Sequence, residues 1–523
     1  MVDQPAPARA PLLVGVDVGT TNIKALVVDL DGRVVASASA PTPIVYPRPE
    51  WAEYDAEILW RVSAGAIREA LTRIDDTDRV QGIAFASMGE TAVPLDAAGA
   101  ATGPAIAWFD KRTRAEVDWI VAQVGQDRLF EISGLAPDPI YGLCKLLWHK
   151  RHRPEAFART CKWLNVADFF AWKLTGEMAT DFSLACRTYA LDLGALRWSD
   201  AILSTVGVAP SLLAPLARSG LAVGRVSAEG AAATGLPRHC VVAAGGHDHL
   251  VGALAVDAMR PGLLLNSTGT TEAVLMGTTR PGRDPALGRS GYAQGVIVVE
   301  QPIWYVIGGL FTAGGAIEWF RRAVAIGADY ETLVAEAEAA PAGSLGVGFL
   351  PHLRLGTAPR PDSHARGAFF GLNTDITRGC LFRAVLEGIA ADSLLCGEGM
   401  LELIPAPPPD EVRVIGGLTR NKLYMKIKAS LVGRPIAMVD LPDSVAIGAA
   451  LLAGLGAGCY QNLADAHGRL RPSLTEIRPD PGLVGFYDRL VREVYAPAVR
   501  LMQPVHERVH ILQTDRGGPT AVG

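Results

Sequence analysis

Residues 12–36 read LLVGVDVGTTNIKALVVDLDGRVVA, and residues 263–277 read LLLNSTGTTEAVLMG. In each, a Gly-Thr-Thr turn (Gly19-Thr20-Thr21 and Gly269-Thr270-Thr271) interrupts a run of aliphatic, β-branched residues. That pattern predicts a tight hairpin. Glycine lets the backbone come close to an anion, and successive N–H groups in such a turn form a concave anion site. Two such turns about half the chain apart suggest a duplicated fold that grips a polyphosphate from both sides. The same pattern also fits a pair of ordinary surface hairpins.

Working outward, the chain has 523 residues, too many for one core, so two domains are expected. Hydrophobic residues make up 49% and charged residues 20%, as in ordinary globular proteins. The net charge is −5 with no Lys/Arg block, which argues against a nucleic-acid partner. The seven cysteines are scattered and free of CxxC or Cys/His metal spacing, and their odd number argues against a disulfide framework; a reducing cytoplasm fits best. The longest uncharged stretch, Ser444–Ala464, is long enough to span a bilayer, but its Ala/Gly content and polar end point to a buried helix instead of a membrane partner.

Residues 1–10 and the end of the chain are expected to be tails. Strands and helices alternate between them, with a domain boundary at Pro261-Gly262. The expected organisation is a tail over 1–10, one domain over 11–259, a second over 260–505 and a tail over 506–523. A final amphipathic helix over Phe486–Met502 could pack back onto the body.

Several residues stand where strands spill into loops, the usual place for sites in α/β sheets. Asp248 follows Gly245-Gly246 at the end of an apolar strand and opens a helix, whose dipole favours an ionised carboxylate. Such a group could take a proton from a substrate hydroxyl; it could equally be a plain helix N-cap. Asp17 precedes the first turn and suits either a magnesium site reached through water or an Asx turn. Lys24 could point at phosphate or at solvent. Gly416-Gly417 and Asn421, between a strand and a helix, could press a flat ligand against the backbone or simply start that helix. Glu90, Trp108, Asp110 and His249 also follow strand ends, and together they suit a polyol: acceptors and donors for hydroxyls, an aromatic face for C–H groups.

With these pieces in order, the chain resembles the FGGY-type carbohydrate kinases, the group that includes glycerol kinase, xylulokinase and gluconokinase. The resemblance runs from about residue 12 to 500. It is carried by DVGTTNIKALVVD, WAEYDAEILW, WFDKRT, KLLWHKRHRPEAFART, DFFAWKLTGEMATDFSLACRT, GGHDHLVGAL, STGTT, RGAFFGL, RAVLEGIA, GGLTRNKLYMKIKASLVGRPI and AIGAALLAG. It implies an α/β fold of two actin-like, ribonuclease H-like domains around a nucleotide/sugar cleft, with ATP and Mg2+ as cofactors and Asp248 as the base. By the same resemblance Thr20, Thr21, Asn22, Lys24, Gly269, Thr270, Gly314, Glu318, Gly417 and Asn421 would meet ATP. Met88, Glu90, Trp108, Asp110 and His249 would face the sugar, and Asp17 would serve the metal.

The departures concern substrate. Glycerol kinases carry Arg-Glu where this chain has Gly89-Glu90, xylulokinases Met-His-Gly at Met88-Gly89-Glu90, and the residue after the base is usually Gln or Asn where this chain has His249. The loop around Arg354-Leu355-Gly356 lacks the Gly-Glu-Arg of many relatives. The expected reaction is transfer of the γ-phosphoryl of ATP to a hydroxyl of a small ketose or sugar alcohol. The alternatives are an aldonate or glycerol kinase of the same family, an actin- or Hsp70-like ATPase, and a non-catalytic sugar sensor. The partner is a small sugar or polyol, with no nucleic acid and no membrane; a homodimer is allowed for.

Overall fold

The computed structural model describes residues 10–356, 358–404 and 408–515. The N-terminal tail expected over 1–10 lies, apart from Ala10, outside the described residues.

The first Gly-Thr-Thr turn joins β1 (Leu12–Val18) to β2 (Asn22–Val28), and β3 (Val34–Pro41) continues the antiparallel meander. Helix α1 (Ala56–Leu71) covers one face of these strands with Leu59, Ile67 and Leu71, its start capped by Asp55, whose side chain accepts from the Ile58 amide. β4 (Val80–Ser87) then lies parallel to β1 on its other side. The helix α2 (Gly142–His152) belongs to the mainly helical section that follows. β5 (Ala222–Arg225) and β6 (Val241–His247) complete a sheet ordered β5-β6-β4-β1-β2-β3, and β6 leads directly into α3 (Asp248–Ala255).

The second half repeats the plan. The second Gly-Thr-Thr turn joins β7 (Leu263–Thr268) to β8 (Glu272–Thr278), followed by β9 (Ala293–Val298), β10 (Pro302–Leu310), α4 (Gly314–Ala323) and the long buried α5 (Arg378–Leu403). β11 (Glu411–Ile415), α6 (Lys422–Val432), β12 (Ile436–Asp440), α7 (Ser444–Gly456) and β13 (Ser473–Ile477) follow. The sheet order is β9-β10-β8-β7-β11-β12-β13. From β10 to β13 the pairings run antiparallel, antiparallel, parallel, parallel, antiparallel, the same series as β3 to β5 in the first sheet. The duplication suggested by the two turns is therefore a duplication of whole sheets.

The Ala/Gly-rich stretch forms α7, a buried helix, and no described helix is long and apolar enough to cross a membrane. It packs across the first sheet, not its own. A Cβ on Gly15 of β1 would collide with the Ala446 carbonyl, and one on Gly82 of β4 would come 2.6 Å from the Ala453 carbonyl oxygen. Gly448 is pressed against the Val251 carbonyl of α3 in the same way. Small residues at these crossings let backbone meet backbone, so the two halves are locked at close-packed density.

The chain ends differently from its expected form. In place of one helix over 486–502 with a tail from 506, a helix over Pro481–Arg489 passes through a π-type turn at Leu490–Tyr495 into α8 (Ala496–Asp515). The segment from 506 to 515 is thus helical, held in part by His506, whose ring is buried and pairs with Asp362. All seven cysteines are free thiols.

Candidate active site

The first turn is closed by the Gly19 amide, which donates to the Asn22 carbonyl at 3.1 Å. The Thr42 hydroxyl donates to the Gly19 carbonyl at 2.7 Å, tying the turn to β3's exit. Thr21 and Asn22 are exposed, and Thr20 accepts at 2.9 Å from the indole N–H of Trp108. Beneath the turn, Oδ1 of Asp17 is buried with no partner among the described residues. Burial, then the Asp248 and Asp443 carboxylates, push the Asp17 carboxyl up to about 7 against the pull of Lys24. Lys24 Nζ lies 2.6 Å from Asp443 Oδ1 at the head of α7, so this ion pair bridges the two halves.

Asp248 is the first residue of α3, and the position before it, His247, makes no side-chain cap bond. The plain N-cap reading of Asp248 is thereby removed. Its Oδ1 accepts from the His249 amide at 2.6 Å and lies 3.2 Å from His247 Nε2. Burial raises its carboxyl above the usual range, with Glu90 acting in the same direction and His249 and Arg187 against it.

Glu90 sits beside this carboxylate on a loop after β4, in a left-handed backbone conformation (φ 58°). It is buried and paired with Arg187, whose Nε and NH2 both reach Oε1 at 2.6 Å. The guanidinium also lies over the Tyr141 ring at 5.0 Å. The loop is held from below by Lys145 of α2, a buried ammonium that donates to the carbonyls of Glu90 (2.9 Å), Ile140 (2.8 Å) and Trp108 (3.3 Å). Burial brings Lys145 down to about 8 although nearby carboxylates favour its charge. His249 is exposed, its ring edge-on to His247 at 5.5 Å.

Two residues expected to face the sugar, Met88 and Asp110, are enclosed by protein. Met88 is buried in the first hydrophobic core, its amide bonded to the Val18 carbonyl. Asp110 is fully buried; its oxygens accept from the Ala52 amide (2.7 Å) and from Arg112 (2.6 Å), which is clamped further by Glu53 and Trp51. A carboxylate so occupied fixes the loop.

In the second half, Gly269 and Thr270 are exposed at their turn, and the first amides of α4 are spent on it. Gly314 donates to the Gly269 carbonyl at 2.8 Å and Gly315 to the Thr270 carbonyl at 2.9 Å. Glu318 is exposed and pairs with Arg321. The turn is anchored by Glu272, buried and bonded to Lys428 (2.5 Å), to Tyr424 (3.0 Å) and to Ser393. Alongside, Gly416 has φ +103° and its α-carbon is pressed on the Thr268 carbonyl, so only glycine fits. Gly417 next to it is open, with nothing within 4 Å of where a Cβ would be. Asn421 is the cap of α6: its Oδ1 accepts from the Tyr424 amide and its Nδ2 donates to the Tyr330 hydroxyl, both at 2.9 Å. Its side chain therefore shapes this wall instead of presenting free polar atoms.

A Gly-Thr-Thr hairpin turn opening each sheet, and a buried carboxylate at the head of α3 near the Glu90–Arg187 pair, agree with the comparisons. The family described as "FGGY family of carbohydrate kinases, N-terminal domain" matches residues 12–255, and its C-terminal domain matches residues 264–457. The chain belongs to the FGGY family of carbohydrate kinases.

The kinase is 28% identical to a xylulose kinase of Bacillus subtilis over 87% of this chain and 90% of that protein. It is 31% identical to a glycerol kinase of Trichlorobacter lovleyi over 86% of this chain and 91% of the relative. A solved xylulose kinase from Rhodospirillum rubrum superposes with a TM-score of 0.86 at 29% identity, covering 95% of this chain and all of the other. The chain is thus a sugar-phosphorylating phosphotransferase with the two-domain, actin-like fold of that family. Sequence reasoning had singled out neither Arg187, His247 and Lys145 nor Asp443. Arg187 and His247 lie inside the quoted motifs DFSLACRT and GGHDH, but nothing local marks a charged residue as buried.

Proposed function

We propose that this kinase transfers the γ-phosphoryl of MgATP to a hydroxyl of a small ketose or sugar alcohol, with Asp248 as the base. The observation that carries this reading is the position of Asp248. It heads α3 without capping it, within electrostatic reach of Glu90, Arg187 and Asp17, with one carboxylate oxygen already engaged by the His249 amide. The proton leaves the acceptor hydroxyl for Asp248 Oδ2, and the hydroxyl oxygen forms the new bond to phosphorus. The β–γ bridging oxygen leaves on ADP with its electron pair. Positioning and charge neutralisation dominate such a transfer.

The Thr20–Asn22 turn, exposed at Thr21 and Asn22, and the exposed Gly269–Thr270 turn would take the phosphates, with Lys24 beside them and Gly416-Gly417 beneath the adenosine. On this reading 11–259 is the sugar-binding domain and 260–505 the nucleotide-binding domain. No three acidic or metal-ligating side chains among the described residues stand close enough to hold a metal directly, so a divalent cation would reach the desolvated Asp17 carboxylate, whose Oδ1 has no partner, through its water shell. When bound, that ion would neutralise charge on the nucleotide. The free state of every cysteine suits a reducing cytoplasm.

Arg187 bears on the substrate. Its charge is already matched by Glu90, so an aldonate's carboxylate would meet a neutral pair with an acidic edge. Neutral hydroxyls suit it better. The test is ADP release over a panel of tetroses, pentuloses, hexuloses, polyols and aldonates, with Asp248→Asn beside the wild type. We expect a ketose or polyol to win and the variant to lose roughly 10²–10⁴-fold in kcat while still binding ATP. Near-native turnover by Asp248→Asn would remove the base assignment. ADP release indifferent to every polyol would point to a shape-changing ATPase, and binding without product to a sensor.

A further inference from the structure

The second half carries a cavity of about 210 Å³ between α5, the loop over 351–366 and the C-terminal helices. No residue placed above in catalysis, sugar binding or ATP binding lines it. The loop is the one whose Arg354-Leu355-Gly356 departs from many relatives, and it is a closed unit. Gly356 and Asp362 exchange both amide–carbonyl bonds, at 2.8 and 3.0 Å, and a Cβ on Gly399 of α5 would stand 2.6 Å from Pro359 Cβ. Contact that close seats the loop on α5 and gives the cavity a stiff wall.

The charges on the walls sort into matched and unmatched groups. Arg492 forks onto Glu398, NH1 to Oε2 at 2.6 Å and NH2 to Oε1 at 2.5 Å. His352, buried at the start of the loop, lies 3.3 Å from Asp392 Oδ1. Burial works against its imidazolium, but Asp392 and Asp362 outweigh it and hold its pKa above the usual value. Left over are Arg360 on the loop, Arg500 on α8 and Glu402 near the end of α5, all three exposed at the rim. None of the three has an ion pair or side-chain hydrogen bond among the described residues.

One free arginine on a surface is ordinary. Two, brought by different segments to one recess with a single spare carboxylate, suit a doubly charged anion, and guanidinium forks match phosphate oxygens. Glu402 asks for the opposite, a hydroxyl that donates to it. An adjoining recess of about 10 Å³ shares His352 and Arg360 and is lined by His506, whose buried Nε2 has no partner among the described residues. A ligand hydroxyl or a single water there would satisfy that atom. The main cavity falls below the roughly 300–1,000 Å³ of pockets for drug-sized ligands, which excludes a nucleotide and suits a three- to five-carbon phosphate ester.

The same walls carry the supports of the second Gly-Thr-Thr turn. Ser393, next to Asp392 on α5, donates to Glu272 and accepts from Lys428 at 2.8 Å, the pair that anchors the turn. The Pro351 carbonyl, next to His352, accepts from the Thr312 hydroxyl. Thr312 stands two residues before Gly314, whose amide holds the Gly269 carbonyl. A ligand that moves the loop against α5 therefore pulls on the turn from two sides.

We propose that this cavity is a second, regulatory site for the phosphate monoester of a small polyol or sugar. Arg360 and Arg500 take the phosphate, Glu402 accepts from a hydroxyl, and occupancy changes nucleotide affinity through Ser393 and Thr312. The regulatory part rests on the reading of Gly269–Thr270 as a phosphate turn.

The test is calorimetry on the full-length protein with sn-glycerol 3-phosphate and D-xylulose 5-phosphate, beside inorganic phosphate and unphosphorylated D-xylulose. Arg360→Gln and Arg500→Gln should each weaken ester binding about tenfold or more, the usual effect of losing a charged hydrogen bond. Arg322→Gln, an exposed arginine of α4 outside the cavity, should leave it unchanged. Inorganic phosphate should bind more weakly than the esters, and D-xylulose binding should ignore both arginines. ADP affinity should shift about fivefold when an ester is present, ester affinity should shift by the same factor with ADP, and both shifts should vanish in the double variant. Ester binding indifferent to both arginines would place it in the catalytic cleft and overturn the proposal, as would no binding of either ester at millimolar concentration. Equal affinity for inorganic phosphate would overturn the ester assignment, and an ADP affinity that the bound ester leaves unmoved would overturn the regulatory role. None of these readings needs turnover, so a protein inactive on every acceptor would sink the proposed function and leave this test standing.

Discussion

Arg187→Met probes whether the sugar-side loop is held by charge. The side chains of Arg187 and Glu90 are only 11% and 5% exposed, so the pair falls outside the class of surface ion pairs, whose contribution is about 0–1 kcal/mol. Removing one partner of a buried pair strands the other's charge, which typically costs about 3–5 kcal/mol. Glu90 keeps a sliver of exposure, and Lys145 donates to its carbonyl and not to its carboxylate. The low end, about 3 kcal/mol, is therefore expected. Eight of the ten tryptophans precede residue 200, the others being Trp304 and Trp319, so tryptophan fluorescence in urea reports chiefly the first half. Arg187→Met should move that transition to lower urea and lose sugar-dependent ADP release. Adding Glu90→Gln should recover most of the stability, because a neutral amide needs no cation, but not the turnover. A loss below about 1 kcal/mol would place the pair in the surface class after all. A double variant no more stable than Arg187→Met would show that stranded charge is not the cause.

Three further outcomes follow from the packing. Gly15→Ala, whose methyl meets the Ala446 carbonyl of α7, should lower thermal stability by about 1–3 kcal/mol, whereas Gly65→Ala in α1, with nothing within 4 Å, should raise it by about 0.5–1 kcal/mol. Lys24→Met should barely change melting, because the Lys24–Asp443 pair is over a third exposed, yet should raise the KM for ATP; a large stability loss with unchanged KM would make it a structural strut. His149 is brought down to about 4 by burial, with Arg153 adding to the shift, so the folded state binds fewer protons than the unfolded one between pH 4 and about 6.5. Its contribution is complete above 6.5 and is lost as pH falls toward 4. His149→Gln should therefore flatten the acid side of a urea-midpoint profile taken from pH 7 to 4.5, and an unchanged slope would assign acid lability to other groups.

What could be read from the sequence was whatever is written within about ten residues. The two hairpin turns declare themselves through glycine between β-branched runs, and Asp248 through a strand, two glycines and a helix. The buried character of α7 is legible in its Ala/Gly content, but not its destination, since the partners are Gly15 and Gly82 in the other half. Their small size is the only imprint of that contact. The burial of Met88 and Asp110 was illegible for a related reason: a strand exit shows where the chain leaves the sheet and says nothing of which way the next side chains turn. The buried charges were invisible because Arg187 meets Glu90 across 97 positions and Lys145 meets it across 55. Gly89 shows how this misleads. Taken alone against relatives with arginine or histidine in that loop, it looks like a missing sugar contact. Taken with His247, it is a vacancy that an imidazole fills, and Arg187 brings a guanidinium to the same loop from another segment. A reading of position 89 alone therefore misses the charged groups that other segments bring to the same loop.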